Sequence, residues 1–381
     1  MTYDAIVLGL GGMGSAALAH AARRGMHVLG LEKFGRVHGL GSSGGRSRII
    51  RKAYFENTAY VPLLQRAYTL WDALEDETAL DILRLNGVLL AGLPQDRMIV
   101  DARASALLHG LPFEELSAAE IARRYRRLSP RPDEVGVFEA EAGLVVPEQA
   151  IEAHLRMAQA AGAEMQFDAT VASWRQNASG RIEVMLDNGS VYAARRLALC
   201  MGAWFEAIAP ELGIPLVVER RVQHWFAPAG PGYGPREIPT LILSRAEQPS
   251  AMYGFPDLGD GVKAAFHAYG TVTHAEQLDR AVGEADIEPV RKALSNWIPG
   301  AAERYLGGKV CMYTLTPDEH FVLGRHPGDA RIVIAGGFSG HGFKFASVIG
   351  EVVADLLAGE GTSHDIAFLS PQRFSAAKPV T

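Results

Sequence analysis

The chain opens on DAIVLGLGGMGSAALAHAARRGMHVLGLEKF (Asp4–Phe34), and this stretch limits the possible folds more than any other. A continuous apolar run, Ala5–Leu8, predicts a buried strand. It leads into Gly9-x-Gly11-x-x-Gly14, then an alanine-rich helix to Arg24 that Gly25 ends. A second strand over His27–Leu31 stops at an acid, Glu32. Each part has a physical reason. Gly9 permits the tight turn, Gly11 lets backbone approach a pyrophosphate, and Gly14 lets helix and strand pack closely. The helix start offers free N–H groups and a positive dipole end to the phosphates. Glu32, 18 residues beyond Gly14, stands where a carboxylate takes ribose hydroxyls. A glycine-rich turn alone is weak, but here strand, helix, second strand and terminal acid coincide. The acid disfavours a 2′-phosphate, which leaves NAD or FAD.

A second glycine-rich turn lies at the other end of the chain. RIVIAGGFSGHGFKFASVIGEVVADLLAG (Arg331–Gly359) again reads as strand, turn and helix, with Gly336, Gly337, Gly340 and Gly342 in the turn. Such a helix start aims unpaired N–H groups at whatever docks there. A flavin gathers negative charge at its N1 and C2 carbonyl when reduced, whereas a nicotinamide enzyme has no need of a second helix start. The combination favours FAD. Lys344, set between Phe343 and Phe345 in an apolar segment, reads as a positioned cation rather than a solvated one.

Between these ends, HGLGSSGGRSRIIRKAY (His38–Tyr54) is too rich in Gly and Ser for a helix, and its Arg46, Arg48 and Arg51 suit a loop beside phosphates or a flavin. Thr58–Glu75 predicts an amphipathic helix with Trp71 in its core face. Ser117-x-x-Glu120 predicts a capping box, and Pro147 a helix start. One strand is expected from Ser190 and another over Arg195–Trp204. From Ile214 to Pro317 the pattern changes to strand-like segments with Pro/Gly turns and one helix near Ala275–Asn296, which suggests a separate antiparallel layer. A length of 381 residues exceeds one simple core. The expected class is α/β (α+β overall): a Rossmann-like domain assembled from 1–83, 145–214 and 318–381, with an antiparallel-sheet substrate domain inserted from 84–144 and 215–317.

Net charge is −6, and the densest basic cluster is the short RRYRR at Arg123–Arg127, which argues against nucleic acid. No run reaches the roughly 18 apolar residues of a membrane span, and the chain enters its first strand without a signal-peptide pattern. Two cysteines, Cys200 and Cys311, make neither a disulfide framework nor a zinc finger. A cytoplasmic protein acting on small molecules is the expectation. Cys311 lies in KVCMYTLTPDEHFVLGRHP (Lys309–Pro327). Taken alone it reads as a core thiol, a metal ligand or an attachment point for something covalent, and too few Cys/His partners at ligand spacing exclude the metal.

Four stretches, GLGSS…RIIR, YGFP, CMYTLTPDEHF and GFSGHGFKFASVIGE, resemble the family of monomeric sarcosine oxidase and the N-methyltryptophan, pipecolate and fructosyl-amine oxidases, and the likeness runs over essentially the whole length. It implies a monomeric FAD enzyme that oxidises a secondary amine beside a carboxylate, with oxygen as acceptor; the alternatives are the same fold acting on N-methyltryptophan, pipecolate or a fructosyl amino acid, or a dehydrogenase with another acceptor. The resemblance implies a thioether from Cys311 to the flavin 8α carbon, Arg48 near the flavin, and Arg51 with Lys344 on the substrate carboxylate. It implies Tyr253, His267 and Tyr313 around the substrate and Lys263 facing the flavin to activate oxygen. Ser43, Val171, Gly202, Gly340 and Gly342 join Gly9, Gly11, Gly14 and Glu32 as expected cofactor contacts. Sarcosine is the favoured substrate. Two departures stand out: Gly44 and Arg46 occupy places where the family pattern has a His and an acid.

Overall fold

The computed structural model describes residues 2–374 apart from 179 and 209. The first strand, Thr2–Leu8, runs parallel to Val28–Leu31 on one side and to Val191–Leu199 on the other, and Glu164–Gln166 extends the sheet beyond Val28–Leu31. Val191–Leu199 is one continuous strand, where the sequence suggested two. Its beginning pairs antiparallel with Ile182–Leu186 and its end pairs parallel with Asp329–Gly336. Length explains the difference: the strand is long enough to take a middle segment and a C-terminal segment of the chain side by side. The resulting eight-stranded sheet therefore joins distant parts of the sequence.

The helix Gly12–Arg23 lies on this sheet and packs against the C-terminal helix Ala346–Ala358 and against Pro147–Ala160. Contact with the C-terminal helix is close because Gly350 has no side chain: a Cβ there would lie 2.4 Å from the Ala16 Cβ. Trp71, in the helix Val61–Thr78, is buried as expected. Its indole also donates to the Lys344 carbonyl at 2.9 Å, so a core aromatic fixes the segment that carries the cation. Ser117 and Glu120 form the expected capping box.

A second sheet of nine strands draws all of them from between Val88 and Glu139 and between Val217 and Leu315. Its longest pair, Val217–Ala227 with Arg304–Leu315, is antiparallel. The layer is not purely antiparallel, as the sequence had suggested, because Thr240–Leu243 runs parallel to Val88–Gly92. A parallel neighbour needs a long crossover rather than a hairpin, and these two strands belong to chain segments far apart in sequence. The helix expected near Ala275–Asn296 is instead Glu284–Trp297, after a single 3-10 turn at Ala275–Gln277. Its start is set at Gly283, whose N–H donates to the Asp286 carboxylate at 3.0 Å. A small sheet of Arg48–Ile50, Gly143–Val145 and Leu83–Arg84 completes the fold and carries Arg48.

Candidate active site

One cavity of about 470 Å³ runs from the first glycine turn to the C-terminal one. At its first end, Gly9 takes a φ of +82°, and a Cβ on Gly14 would fall 1.7 Å from the Gly9 carbonyl oxygen. Both positions are therefore closed to any side chain. The helix that follows begins at Gly11 without a side-chain cap, and the Gly12 N–H donates to Ser43 Oγ at 3.2 Å. Gly12 also faces the Phe343 ring, which a Cβ there would meet at 2.8 Å, so the two ends of the chain touch across the cavity. Glu32 is buried on the wall; its carboxylate accepts from Leu10 N at 2.7 Å and Phe34 N at 3.1 Å. Val171 and Gly202 line the same region. Trp204, which sequence reasoning passed over as the end of a strand, adds a buried indole N–H on the wall with no partner among the described residues. Uncapped helix starts, side-chain-free turns and an orphaned donor suit a dinucleotide with phosphates, so the residues fit FAD.

At the other end of the cavity stand Arg51 and Lys344. Arg51 is 1% exposed, and its guanidinium lies 4.6 Å from the Tyr54 ring and 4.0 Å from that of Phe55. It donates to the Ala53 carbonyl and to the Glu56 carboxylate, each at 2.6 Å. Glu56 was not foreseen; it lines the cavity. Burial works to raise its pKa, but Arg51, His341 and Lys344 together bring it down to about 2. Lys344 sits in a 3-10 turn, Phe343–Phe345, just before the C-terminal helix, and its Nζ donates to the His341 carbonyl at 2.9 Å. Burial lowers this amine to about 7. His341 is pushed down to about 3 by burial and is neutral. Its Nε2 faces the Glu319 carbonyl at 3.0 Å and carries the proton, so Nδ1 accepts from the Tyr54 hydroxyl at 2.5 Å.

Tyr253, His267 and Tyr313 share this part of the wall. The rings of His267 and Tyr313 are 5.8 Å apart. Tyr253 is held well above its ordinary pKa by burial and then by Tyr313, to which it hydrogen-bonds, while burial lowers His267 to about 4. Gly340 presses on Tyr313: a Cβ there would be 2.3 Å from the ring. Gly342 lines the cavity beside it.

Three of the expected site residues do not line the cavity: Gly14, Lys263 and Cys311. Lys263, which would pass for an exposed strand lysine, is 2% exposed and donates to the Gly45 carbonyl at 2.6 Å and to the Ser47 carbonyl and hydroxyl at 3.0 Å. Burial and then Arg48 lower its pKa well below the ordinary lysine range. Arg48 is turned onto its own loop, donating to the Ser42 and Gly44 carbonyls at 2.8 and 2.6 Å. Cys311 is buried and accepts from Gln223 Nε2 at 3.3 Å, next to the lining residues Met312 and Tyr313. Cys200 is also buried, and that alone raises its thiol to about 12. Where the family pattern has a His, a Cβ on Gly44 would meet Lys309 Nζ at 2.5 Å, so a lysine from a distant strand occupies that space. Arg46 faces solvent and pairs with Asp260 at 2.6 Å.

A glycine-turned α/β sheet and a cavity shared with a second sheet define a flavoprotein oxidoreductase fold. The profile of the FAD dependent oxidoreductase family matches residues 4–356, and the chain belongs to that family. It is 43% identical to a monomeric sarcosine oxidase of Streptomyces avermitilis, with 99% of both chains aligned. It is 34% identical to an N-methyl-L-tryptophan oxidase of Salmonella dublin over 98% of this chain and 100% of the relative. Among solved structures, NikD, an amino acid oxidase essential for nikkomycin biosynthesis, shares the fold with a TM-score of 0.86 at 23% identity, covering 97% of each chain.

Proposed function

We propose that the protein oxidises secondary N-methyl amino acids, with sarcosine the reference substrate. Sarcosine, oxygen and water would give glycine, formaldehyde and hydrogen peroxide through an imine that water hydrolyses. One observation carries this reading: two buried cations, Arg51 and Lys344, line the same cavity, and at that part of its wall the carboxylate paired with Arg51 is Glu56. The surplus positive charge is costly in a low-dielectric site until an anion joins it, and a substrate carboxylate supplies that anion with charge-assisted hydrogen bonds.

Bound FAD supplies the two-electron acceptor and the route to oxygen. Gly9, Gly11, Ser43, Glu32, Val171, Gly202, Gly340, Gly342 and Arg48 would hold the cofactor. Cys311 would carry a covalent thioether; the support for this is its place in sequence, one residue before the cavity wall. Lys263 would supply positive charge where oxygen gains electrons, an electrostatic role of the preorganised kind; burial and Arg48 oppose that charge, while the Gly45 and Ser47 carbonyls favour it. Tyr253, His267 and Tyr313 shape the space around the amine. None of them is an anionic base, since His267 is neutral and the phenol of Tyr253 stays protonated. The substrate amine therefore sheds its proton on entry, because desolvation disfavours the cation.

The division into an FAD part (1–83, 145–214, 318–381) and a substrate part (84–144, 215–317) is supported by the strand membership of the two large sheets. A monomer in the cytoplasm is the accompanying proposal, in keeping with two free, buried cysteines and the name of the Streptomyces relative. No helix among the described residues is long and apolar enough to cross a membrane.

The test is anaerobic mixing of the yellow protein with sarcosine, followed by peroxide assay under air. Bleaching of the flavin and one peroxide per turnover are expected. A flavin that no secondary amino acid bleaches would falsify the proposal, and bleaching without peroxide would redirect it to a dehydrogenase.

A further inference from the structure

The wall beside the carboxylate clamp is apolar, and sarcosine has nothing to place against it. Phe55, whose ring packs on the Arg51 guanidinium, continues into Ile49, Met98, Ile242 and Ala251. All five line the cavity and belong to one hydrophobic cluster. They arrive from separate elements: Ile49 from the small sheet, Met98 from the helix Arg97–Leu108, Ile242 from the strand Thr240–Leu243, and Ala251 from the residue before Met252–Phe255. Their location is fixed at both ends. Ile242 is the cross-strand partner of Tyr253, and the Ala251 carbonyl accepts from the His267 N–H at 2.9 Å. The apolar wall thus spans the distance from the clamp to the Tyr253–His267 pair. None of the five side chains offers a hydrogen bond or a charge. Ile49, Phe55 and Ala251 are only half-buried by the protein itself, so apolar surface remains open there.

We infer that this site selects secondary α-amino acids carrying an aliphatic Cα substituent of about three to five carbons over sarcosine, with Ile49, Phe55, Met98, Ile242 and Ala251 as the residues that read it. The inference rests on the proposed function, because it takes the carboxylate to lie on Arg51 and Lys344. The clamp that fixes that group carries Phe55 on its Arg51 guanidinium at 4.0 Å, so the apolar wall begins beside it. Sarcosine carries only hydrogens at its Cα and would leave the wall uncovered. A charged or amide side chain would lose its water there without gaining a partner. Each added methylene is expected to improve kcat/KM by about tenfold or more until the wall is covered.

Two measurements on the FAD-loaded protein test this. In the first, acetate, butyrate and 4-methylpentanoate, which lack the amine, are titrated by flavin difference spectra. The dissociation constant is expected to fall at least tenfold along the series. In the second, kcat/KM is compared for sarcosine and N-methyl-L-leucine, with an expected ratio of at least ten in favour of the larger substrate. Ala251→Phe should reduce that ratio at least tenfold by filling the space; should it fail to retain flavin, Ile242→Ala should reduce it several-fold by removing contact. Equal dissociation constants together with sarcosine as the best substrate would overturn the inference and leave the proposed function standing. If no secondary amino acid reduces the flavin at all, the proposed function falls and takes the inferred substrate class with it.

Discussion

Arg51 spends its charge on Glu56, and this pairing sets the terms on which any ligand enters. The two groups meet at 2.6 Å with the arginine buried, so an incoming carboxylate competes with an internal one for the same guanidinium. Glu56→Gln keeps the shape and removes the competitor's charge. It should tighten acetate binding by about tenfold, a difference of about 1.4 kcal/mol; unchanged or weaker binding in a flavin titration would show that Glu56 assists the ligand instead. Lys344 gives a pH signature of opposite kind. Its amine is lowered to about 7 by burial, so it is an ammonium below that pH and neutral above it. A carboxylate favours the ammonium, hence acetate affinity should be level below about pH 7 and fall by up to tenfold per unit above it. Acetate has no amine, so the substrate's own ionisation does not enter. Lys344→Met should weaken binding at pH 6 and flatten the profile; a profile that keeps its shape in the variant would assign the titration elsewhere. Arg51 was set apart from Arg46 and Arg48 only by the family resemblance, whereas Lys344 was legible in the sequence because a charge inside an apolar run calls for a reason. Glu56 was not, since nothing in its neighbours reveals that the chain folds it back onto Arg51.

Among the elements, the first and last helices depend on each other through one residue without a side chain. Gly350 lies against Ala16 so closely that a Cβ would also come within 2.5 Å of the Ala16 carbonyl carbon and 2.8 Å of Ala17 N. Backbone cannot yield as a side-chain tip can, so Gly350→Val must push the helices apart. A loss of about 2–3 kcal/mol in a denaturant titration is expected, with looser flavin binding because both helix starts face the cofactor cavity. A variant as stable as the parent would mean the helices have room that the contact distances deny. Local signals located most of these elements well. The Gly9–Glu32 unit, the Ser117 capping box and the Pro147 helix start each carry their cause within a few residues. Failures fell where the cause is distant. Val191–Leu199 looked like two strands because its halves serve different neighbours. The partners of Lys263, the Gly45 and Ser47 carbonyls, were not legible either, because they come from a loop more than two hundred residues away.

At the scale of the whole molecule, the cofactor cavity is bounded by chain segments that are remote in sequence, so the cofactor itself is a structural tie between them. A covalent bond through Cys311 would make that tie permanent. Of the two cysteines, Cys200 lies against the first glycine turn, where a Cβ on Gly14 would be 3.2 Å from it, and its thiol is raised to about 12. A thiol so reluctant to ionise is a poor nucleophile. Cys311 instead comes one residue before Met312 and Tyr313, which line the cavity, and its sulfur accepts from Gln223 Nε2 at 3.3 Å. Acid precipitation of the wild-type protein should therefore leave the yellow colour in the pellet. Cys311→Ser should release all of it, while Cys200→Ser should release none. The substitution also changes how stability responds to ligand. A cofactor that binds only the folded state adds RT ln(1 + [FAD]/Kd), about 2.7 kcal/mol at a hundredfold excess over Kd. The melting temperature of Cys311→Ser should accordingly rise with added FAD, whereas that of a wild type saturated through a covalent bond should not. Colour lost from the wild type into the acid supernatant, with a melting temperature that follows free FAD, would return Cys311 to the core as an ordinary buried thiol and leave the glycine turns alone to hold the flavin.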